Sequence, residues 1–393
     1  MKKTLLGIAI CFFLGTVSGN AQDFIQHYAD VANQVTQDNI TNNLTEFESL
    51  GVKRKGTAAL QNTLNWLKDK YLSYGYTAGQ MVEDSYSYSG YTCKNLVLTK
   101  IGTVHPNTYV IVCGHYDTIA GTGTNDNGSG TSIILEIARL LQNVPTEYSI
   151  KFINFSGEED GLRGSQHYVT SVVNGTNPKM DIKVVFNIDE VGGVAGMNND
   201  TITCDVDQST PTTNNAASAQ VTDELAACVS LYSPLNTFIN YADATDYIPF
   251  ENNNEIITGF YETNISNHPH TTSDTLANMD PEYVFNVGKA AVGATMHFAV
   301  AATALSNEEF ATDFQVSLFP NPAKGKLNIN FGTLKQDNYT FSLLDVQGKK
   351  VVQNTINNGV QLQTVDVSRV SSGIYLGVLE SAENRITKKI VIE

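Results

Sequence analysis

The strongest constraint on the fold of this chain is a change in its secondary-structure pattern near residue 305. Before that point, segments with helical spacing of apolar residues, such as Leu60, Leu64 and Leu67, alternate with short apolar runs typical of buried strands. After it, only short strand-like runs remain, separated by Asn-Gly and Gln-Gly turns. The pattern predicts an α/β domain, with a mixed, mainly parallel sheet flanked by helices on both faces, and then a small all-β sandwich.

The same local patterns predict individual helices and strands. In the first part of the chain, the predicted helices lie at 60–71, 133–141 and 281–302, and the predicted strands lie at 97–98, 109–112, 150–155 and 184–188. The strands at 97–98 and 109–112 are expected to pair as a hairpin. In the second part they are strands at 314–319, 326–331, 339–345, 350–355, 362–367, 374–379 and 388–392.

Charge separates the same two parts of the chain. The sequence holds 40 Asp and Glu against 24 Lys and Arg, a net charge of −16, yet residues 313–393 contain nine basic and seven acidic residues. The acidic excess therefore lies in the α/β part, which argues against nucleic-acid binding and against a polybasic contact with membranes. With 41% apolar and 16% charged residues, the chain can bury a large core.

The first 21 residues have the features of a signal peptide. Lys2 and Lys3 precede a mainly apolar run at 5–17, and the small residues Gly19 and Ala21 suit a signal peptidase. Because that run is too short to span a bilayer comfortably, we expect export without membrane insertion. The expected organisation is a signal peptide at 1–21, the α/β domain at 22–305, a linker at 306–312 and the sandwich at 313–393.

Export also permits disulfide bonds. Among the cysteines that follow the leader, Cys204 and Cys228 are the favoured pair. Cys113 lies in a strongly apolar strand and is expected to be a small core residue.

Two motifs place polar side chains at the ends of apolar strands, GHYDT at 114–118 and NIDEVG at 187–192. Open α/β sheets bind ligands at the carboxyl ends of their strands, and His115, Asp117 and Asp189 fall there. An imidazole at such an edge suits zinc, and Asp117 could orient that imidazole. Taken alone, each motif is more readily explained as an ordinary polar loop.

Two further motifs supply carboxylates. NDNGSG at 125–130 contains Asp126, whose two oxygens could bridge two cations, although a polar turn with an N-cap explains the same residues. GEEDGLRGS at 157–165 has three consecutive carboxylates after a buried strand, and cations would relieve their repulsion. Glu158 and Glu159 point in different directions, so one can hold metal and the other a proton. The alternative is an acidic first turn of a helix.

The fifth motif, HTTSDT at 270–275, supplies His270, with His268 as the competing candidate in the same loop. Together the five motifs offer two imidazoles, three metal-binding carboxylates and one spare glutamate. Oxygen and nitrogen ligands without thiolate suit two zinc ions that share a bridging carboxylate. Without metal, each motif would need an independent explanation.

In this order, the five motifs resemble the co-catalytic dizinc aminopeptidases of the bacterial leucyl aminopeptidase and aminopeptidase S type, over residues 25–303. The resemblance implies the zinc-exopeptidase fold and hydrolysis of the N-terminal bond of peptides with a free N-terminus. It also implies that Asp126 bridges two zinc ions. By the same resemblance, Glu159 and His270 complete one zinc site, and His115 and Asp189 complete the other. Glu158 would then be the general base, and Asp117 would orient His115.

The chain departs from that family at two positions on the substrate side. Thr245-Asp246-Tyr247 resembles the family's substrate loop, where Ser-Asp-His is commoner, which leaves the role of Tyr247 open. Glu190 stands where an apolar Met is usual. Either this carboxylate lines the pocket for the first residue and favours Lys or Arg there, or it points away and forms an ion pair elsewhere.

Residues 313–393 resemble a second family, the β-sandwich sorting domain of the type IX secretion system of Bacteroidetes. The resemblance rests on LFPNP at 318–322, LDVQGKKV at 344–351, SGIY at 372–375 and KKIVI at 388–392. It implies that the type IX machinery is a partner and that the protein is secreted or held on the cell surface, through the periplasm and outer membrane. A carbohydrate-binding or adhesive sandwich is the alternative.

The leading hypothesis is therefore a secreted zinc aminopeptidase with two zinc ions. A glutaminyl cyclase or a carboxypeptidase on the same fold is a second enzyme class. A non-catalytic binding protein on a peptidase scaffold is the third option, which the complete set of expected ligands disfavours.

Overall fold

A computed structural model describes residues 23–242, 244–302, 316–331, 338–345, 348–356, 362–381 and 385–393. The chain forms two compact units, Met1–Ala302 and Thr303–Glu393. The signal peptide expected at 1–21 and the linker expected at 306–312 lie outside the described residues, so the domain boundaries stay predictions.

The first unit alternates helices with the strands of one sheet. Its helices are α1 (Gln26–Ala32), α2 (Gln37–Ser49), α3 (Ala58–Ser73), α4 (Gly128–Leu141), α5 (Arg163–His167), α6 (Asn215–Tyr232), α7 (Ile248–Asn252) and α8 (Pro281–Phe298). Its strands are β1 (Met81–Tyr88), β2 (Tyr91–Lys100), β3 (His105–His115), β4 (Tyr148–Phe155), β5 (Asp181–Ile188), β6 (Thr201–Val206), β7 (Asn236–Tyr241) and β8 (Ile257–Glu262). A π-helical turn, Tyr168–Val173, follows α5.

The eight strands form one mixed sheet in the order β1-β2-β4-β3-β5-β8-β6-β7. The neighbours β4, β3, β5 and β8 are parallel, as are β6 and β7, whereas β1–β2, β2–β4 and β6–β8 are antiparallel. The predicted mixed, mainly parallel sheet is confirmed. The hairpin expected between 97–98 and 109–112 is wrong, because β4 lies between β2 and β3 and pairs with both.

The central strands are apolar because both of their faces are covered. Along β3, Val110 and Val112 belong to one apolar core, while Ile111 and Cys113 belong to a second core on the other face. The first core also contains side chains from α1, α2, α3, α4, α6 and α8, and the second contains side chains from the π-helical turn and α7. Helices therefore cover both faces, and the register places the ends of β3, β4 and β5 at one edge of the sheet.

The second unit contains two antiparallel sheets over one apolar core. Its strands are β9 (Val316–Phe319), β10 (Lys326–Phe331), β11 (Tyr339–Leu344), β12 (Lys350–Ile356), β13 (Leu362–Asp366), β14 (Gly373–Glu380) and β15 (Arg385–Ile392). The sheet orders are β13-β10-β9 and β12-β11-β14-β15. Leu327 and Val365 of one sheet share a core with Phe341 and Leu379 of the other, as in a sandwich.

The cysteines after the leader are free thiols, so the favoured Cys204–Cys228 pairing is not formed. Both side chains are fully buried among apolar residues of the first core, where cysteine acts as a small hydrophobic residue. Cys113 is likewise fully buried in β3, as expected. In the part of the chain that the structure describes, no helix combines the length and apolar character that crossing a membrane requires.

Candidate metal centre

The carboxyl edge of the sheet gathers the predicted ligands from separate segments. His115 is the last residue of β3, Asp189 directly follows β5, and Glu159 lies in the loop after β4. Asp126 precedes α4, and His270 lies in the loop between β8 and α8. These positions follow from parallel strand order, because neighbouring parallel strands end at the same edge.

At this edge, the five side chains form two groups that have Asp126 in common. In the first group, Nε2 of His115 lies 3.1 Å from Oδ1 of Asp126 and 3.3 Å from Oδ1 of Asp189. In the second, Nε2 of His270 lies 3.1 Å from Oδ2 of Asp126 and 3.0 Å from Oε2 of Glu159. Within each group the potential ligand atoms lie within 4.8 Å of one another. Asp126 thus offers one carboxylate oxygen to each group.

The two groups differ in their exposure to solvent. The side chain of His115 is 1% exposed, whereas that of His270 is 59% exposed. His270 also adopts a left-handed backbone conformation, with φ of 60°. A non-glycine residue in this region is strained, and such strain is concentrated at functional sites.

The residues present fit metal ions. Among the described residues, Oε1 of Glu159 is buried without a hydrogen-bond partner, which is costly unless a cation satisfies it. Burial, with repulsion from Asp126, raises the pKa of Glu159 to about 8. Two divalent cations would offset this repulsion, and the donor set of imidazole and carboxylate without thiolate suits zinc.

Asp126 is already held as an anion by its histidine neighbours. Burial acts to raise its pKa, but hydrogen bonds from His115 and His270 outweigh burial and lower the pKa to about 2. A carboxylate that stays ionised at every working pH is suited to a bridging position between two cations.

Asp117 contacts two other residues of the site. Nδ1 of His115 lies 3.1 Å from the backbone carbonyl oxygen of Asp117 and 3.7 Å from its Oδ1. The carboxylate instead accepts a hydrogen bond from the backbone N–H of Glu158, at 3.2 Å. Asp117 therefore orients His115 through its main chain and positions Glu158 through its side chain.

Glu158 lies beside the first group and belongs to neither. Burial, opposed by His115 and reinforced by repulsion from Asp246 and Asp189, raises its pKa to about 10. Burial thus favours the protonated form of this carboxyl group, which lies close to the first group.

Two positioning residues were not singled out from the sequence. The Asp274 carboxylate accepts the backbone N–H groups of Asn125, at 2.7 Å, and of Asp126, at 3.1 Å. The Thr245 hydroxyl donates to Oδ2 of Asp189. Both residues stand inside quoted motifs, HTTSDT and Thr-Asp-Tyr, but their partners are more than fifty residues away in sequence, so spacing alone could not reveal them.

The three residues expected on the substrate side have different surroundings. Tyr247 is fully buried in the second core, and its hydroxyl donates to Oδ2 of Asp205 at 3.0 Å, so its side chain is enclosed by the protein. Asp246 is also fully buried, and burial, with repulsion from Asp189 and Asp117, raises its pKa to about 7. Asp246 is thus a buried carboxyl group close to Asp189 and Asp117.

Glu190 is half-buried beside the centre. Its backbone is left-handed, with φ of 43°, and the Tyr261 hydroxyl donates to its carboxylate. Burial, followed by repulsion from Asp126 and Asp189, raises its pKa to about 9. No Lys or Arg of the described residues forms an ion pair with it, which disfavours the alternative of an ion pair away from the centre.

Sequence comparison connects this geometry with known proteins. The chain is 39% identical over 108 residues to the aminopeptidase YwaD of Bacillus subtilis, covering 27% of this chain and 23% of the relative. It is 26% identical over 223 residues to a probable zinc metalloprotease of Pyrenophora tritici-repentis, covering 48% of this chain and 49% of the relative. The chain thus spans between about a quarter and a half of the length of these curated relatives.

The fold agrees with that of a solved structure, the Legionella pneumophila LapA aminopeptidase. The TM-score is 0.60 at 24% identity, covering 70% of this chain and 76% of LapA. At this identity the likeness shows a shared fold.

Two family descriptions account for the two units. Residues 317–393 match the secretion system C-terminal sorting domain, which directs proteins to the cell surface or the extracellular space. Residues 95–295, about half of the chain, match peptidase family M28 and contain all five motifs. Both resemblances drawn from the sequence are confirmed, and the chain belongs to peptidase family M28.

Proposed function

We propose that the chain is a secreted zinc-dependent aminopeptidase that hydrolyses the N-terminal peptide bond of peptides. The observation that carries the proposal is the division of the Asp126 carboxylate between two groups, each completed by one histidine and one further carboxylate. Membership of a peptidase family and similarity to aminopeptidases support it.

In this proposal His115, Asp189 and Asp126 hold one zinc ion, and Glu159, His270 and Asp126 hold a second. When bound, the two ions would activate a water and polarise the scissile carbonyl. Asp274 and Thr245 keep Asp126 and Asp189 in place through the hydrogen bonds described above. Loss of such outer contacts typically weakens metal binding by about 10- to 100-fold.

Glu158 is the general base in this mechanism. Its backbone N–H is held by Asp117, which limits the positions that its carboxylate can take. The carboxylate accepts the proton of the attacking water and returns it to the leaving amine. Cations beside Glu158 would oppose the burial that raises its pKa, and a pKa closer to neutral makes it a more effective base.

Glu190 selects the first residue of the substrate. Its half-buried carboxylate has Asp126 and Asp189 as neighbours and no cationic partner from the described chain. A Lys or Arg side chain at the first position would supply that partner, so we propose a preference for basic N-terminal residues. The free α-amine of the substrate binds near the metal ions, which restricts cleavage to the N-terminus.

Export completes the proposal. Residues 313–393 act as the address that the type IX secretion machinery recognises, and residues 22–305 form the catalytic domain. Deleting 313–393 should leave the enzyme unable to pass the outer membrane, and normal release of the truncated protein would contradict this part.

One set of assays tests the catalytic proposal. The mature protein is incubated with aminoacyl-anilides, with N-acetylated peptides and with Gln-initiated peptides, before and after removal of metal by a chelator. We expect hydrolysis of the anilides alone, loss with the chelator, and recovery with zinc.

Variants assign the roles of individual residues. Glu158→Gln should retain bound zinc and lose about 10²- to 10⁴-fold in kcat, while exposed Glu282→Gln serves as the matched control. Ring closure of N-terminal Gln without hydrolysis would identify a cyclase instead. Release of C-terminal residues would identify a carboxypeptidase, and full activity of Glu158→Gln would remove its assigned role.

A further inference from the structure

A second cluster of oxygen-bearing side chains lies between the segment after β6 and helix α7. It consists of Asp207, Asn214 and Glu251, and we refer to these three residues as the oxygen cluster. Their exposures are 1%, 4% and 3%, so all three are buried. None of them belongs to either group of the metal centre.

The three side chains meet at the carboxylate of Asp207. Its Oδ2 accepts a hydrogen bond from Nδ2 of Asn214 at 2.7 Å, and its Oδ1 accepts one from the backbone N–H of Ser209 at 2.8 Å. The carboxyl group of Glu251 is within hydrogen-bonding reach of the same carboxylate. Two acidic groups are therefore buried against each other.

The amide of Asn214 has a defined orientation. Its Nδ2 donates both to Asp207 and, at 2.7 Å, to the backbone carbonyl oxygen of Glu255. Exchanging the nitrogen and oxygen of this amide would place an oxygen against two acceptors. Oδ1 is therefore the acceptor atom of an amide whose nitrogen is bound to Asp207.

Two buried oxygens of the oxygen cluster have no donor. Within the described part of the chain, Oδ1 of Asn214 and Oε2 of Glu251 accept no hydrogen bond. Oγ of Ser209, two residues after Asp207, is also without a partner. Buried acceptors without a donor are rare in folded proteins because their desolvation is not compensated.

The charges of the oxygen cluster are also uncompensated by the chain. No Lys or Arg of the described residues forms an ion pair with Asp207 or Glu251, and the neighbouring Lys179 pairs with Glu255 instead. Burial and repulsion from Asp207 raise the pKa of Glu251 to about 7. Two carboxyl groups buried in contact repel each other as anions, and either a shared proton or a bound cation would relieve that repulsion.

We propose that Asp207, Asn214 and Glu251, with Ser209 as an additional ligand, bind a divalent cation of the calcium class. Every ligand atom is a carboxylate, amide or hydroxyl oxygen, the type that Ca²⁺ prefers, and the oxygen cluster contains no imidazole or thiolate that would favour zinc. The cation would join the segment after β6 to α7, which begins just after Asp246. This inference does not depend on the proposed catalytic function.

The test uses the full mature protein loaded with zinc in calcium-free buffer. Calcium chloride is added, and both the unfolding temperature and calcium bound at equilibrium dialysis are measured. We expect one calcium ion per chain and an unfolding temperature that rises with calcium concentration. Glu251→Gln and Asp207→Asn should each weaken calcium binding at least tenfold, and Glu255→Gln is the matched control that should retain the wild-type response.

The competing arrangement is a proton shared between Glu251 and Asp207. In that case calcium neither binds nor raises the unfolding temperature of the wild-type protein, and the amide of Glu251→Gln replaces the shared proton without loss of stability. A wild-type protein that neither binds calcium nor gains stability from it would overturn the proposal, as would a calcium response that persists in both variants. If the variants fail to fold, the wild-type titration still decides the question.

Discussion

Asp274 offers the sharpest test of how the fold holds the metal centre. Its carboxylate is 1% exposed and accepts the backbone N–H groups of Asn125 and Asp126, at 2.7 and 3.1 Å. Asp274→Ala would leave both donors buried without an acceptor. Asp274→Asn keeps one acceptor oxygen but turns an NH₂ group toward the second donor.

The expected magnitudes follow from those two hydrogen bonds. An unsatisfied buried donor costs about 1–3 kcal/mol, so Asp274→Ala should lose roughly 2–6 kcal/mol of stability and Asp274→Asn about half as much. Because the displaced segment carries Asp126, zinc affinity should fall by about 10- to 100-fold in either variant. The loss of a negative charge near the centre acts in the same direction.

Stability can be measured by urea unfolding, followed by the fluorescence of Trp66, the single tryptophan of the sequence, which lies in α3 of the same unit. Zinc affinity can be measured by competition with a chelating dye. Asp280→Asn is the matched control, because Asp280 also accepts two backbone N–H groups, those of Glu282 and Tyr283, as the N-cap of α8.

The control should lose at most about 1 kcal/mol of stability, because Asn caps a helix about as well as Asp and only the charge at the N-terminus of α8 is lost, and it should keep its zinc affinity. If Asp274→Asn is destabilised but binds zinc within twofold of the wild type, the positioning argument is refuted. An equal fall in zinc affinity for Asp280→Asn would refute it as well, since the effect would then be general destabilisation.

Three further predictions follow from the charge or the burial of individual side chains. Glu190→Met should reduce the preference for Lys-anilide over Leu-anilide by roughly tenfold, because it removes the carboxylate proposed to pair with a basic side chain; a Leu preference that is the same in both proteins would reject this role. The four cysteines after the leader are at most 3% exposed, so a thiol reagent should modify none of them in the native protein. After unfolding without reductant, the reagent should modify all four, whereas modification of only two would show that a disulfide forms. Burial lowers the pKa of His297 to about 4, so the unfolded chain binds its proton first and stability should fall as the pH drops from about 6.5 to 4, by up to roughly 3 kcal/mol; urea titrations of His297→Gln should show a shallower fall over that range, and equal slopes would contradict the assignment.

The sequence indicated the region of the candidate centre because three of the five candidate ligands, His115, Glu159 and Asp189, stand at or just after the end of an apolar strand. His115 and Asp189 follow strand-forming runs, and parallel order brings such ends together regardless of the details of packing. Helices were predictable for the same local reason, as with α3 and its apolar spacing. Local pattern therefore predicted the layers of the fold and the region of the site.

Long-range pairing was beyond the reach of local pattern. Only four residues separate β2 from β3, which favours a hairpin, but the connection through α4 returns β4 to the edge of β3 and β2 then pairs with β4. The direction of Tyr247 was likewise hidden, because its environment is formed by β6 and by the second core. The same holds for the main-chain contact of Asp117, which depends on how the chain turns after β3.

The unequal exposure of the two histidines has a kinetic consequence. His115 is enclosed at the end of a central strand, where hydrogen bonds break only with extensive unfolding, whereas His270 is in a loop that can open locally. Two ions held by these groups would leave the protein at different rates, the ion beside His270 first. The enzyme would then pass through a long-lived species with a single ion, retained at the more enclosed position.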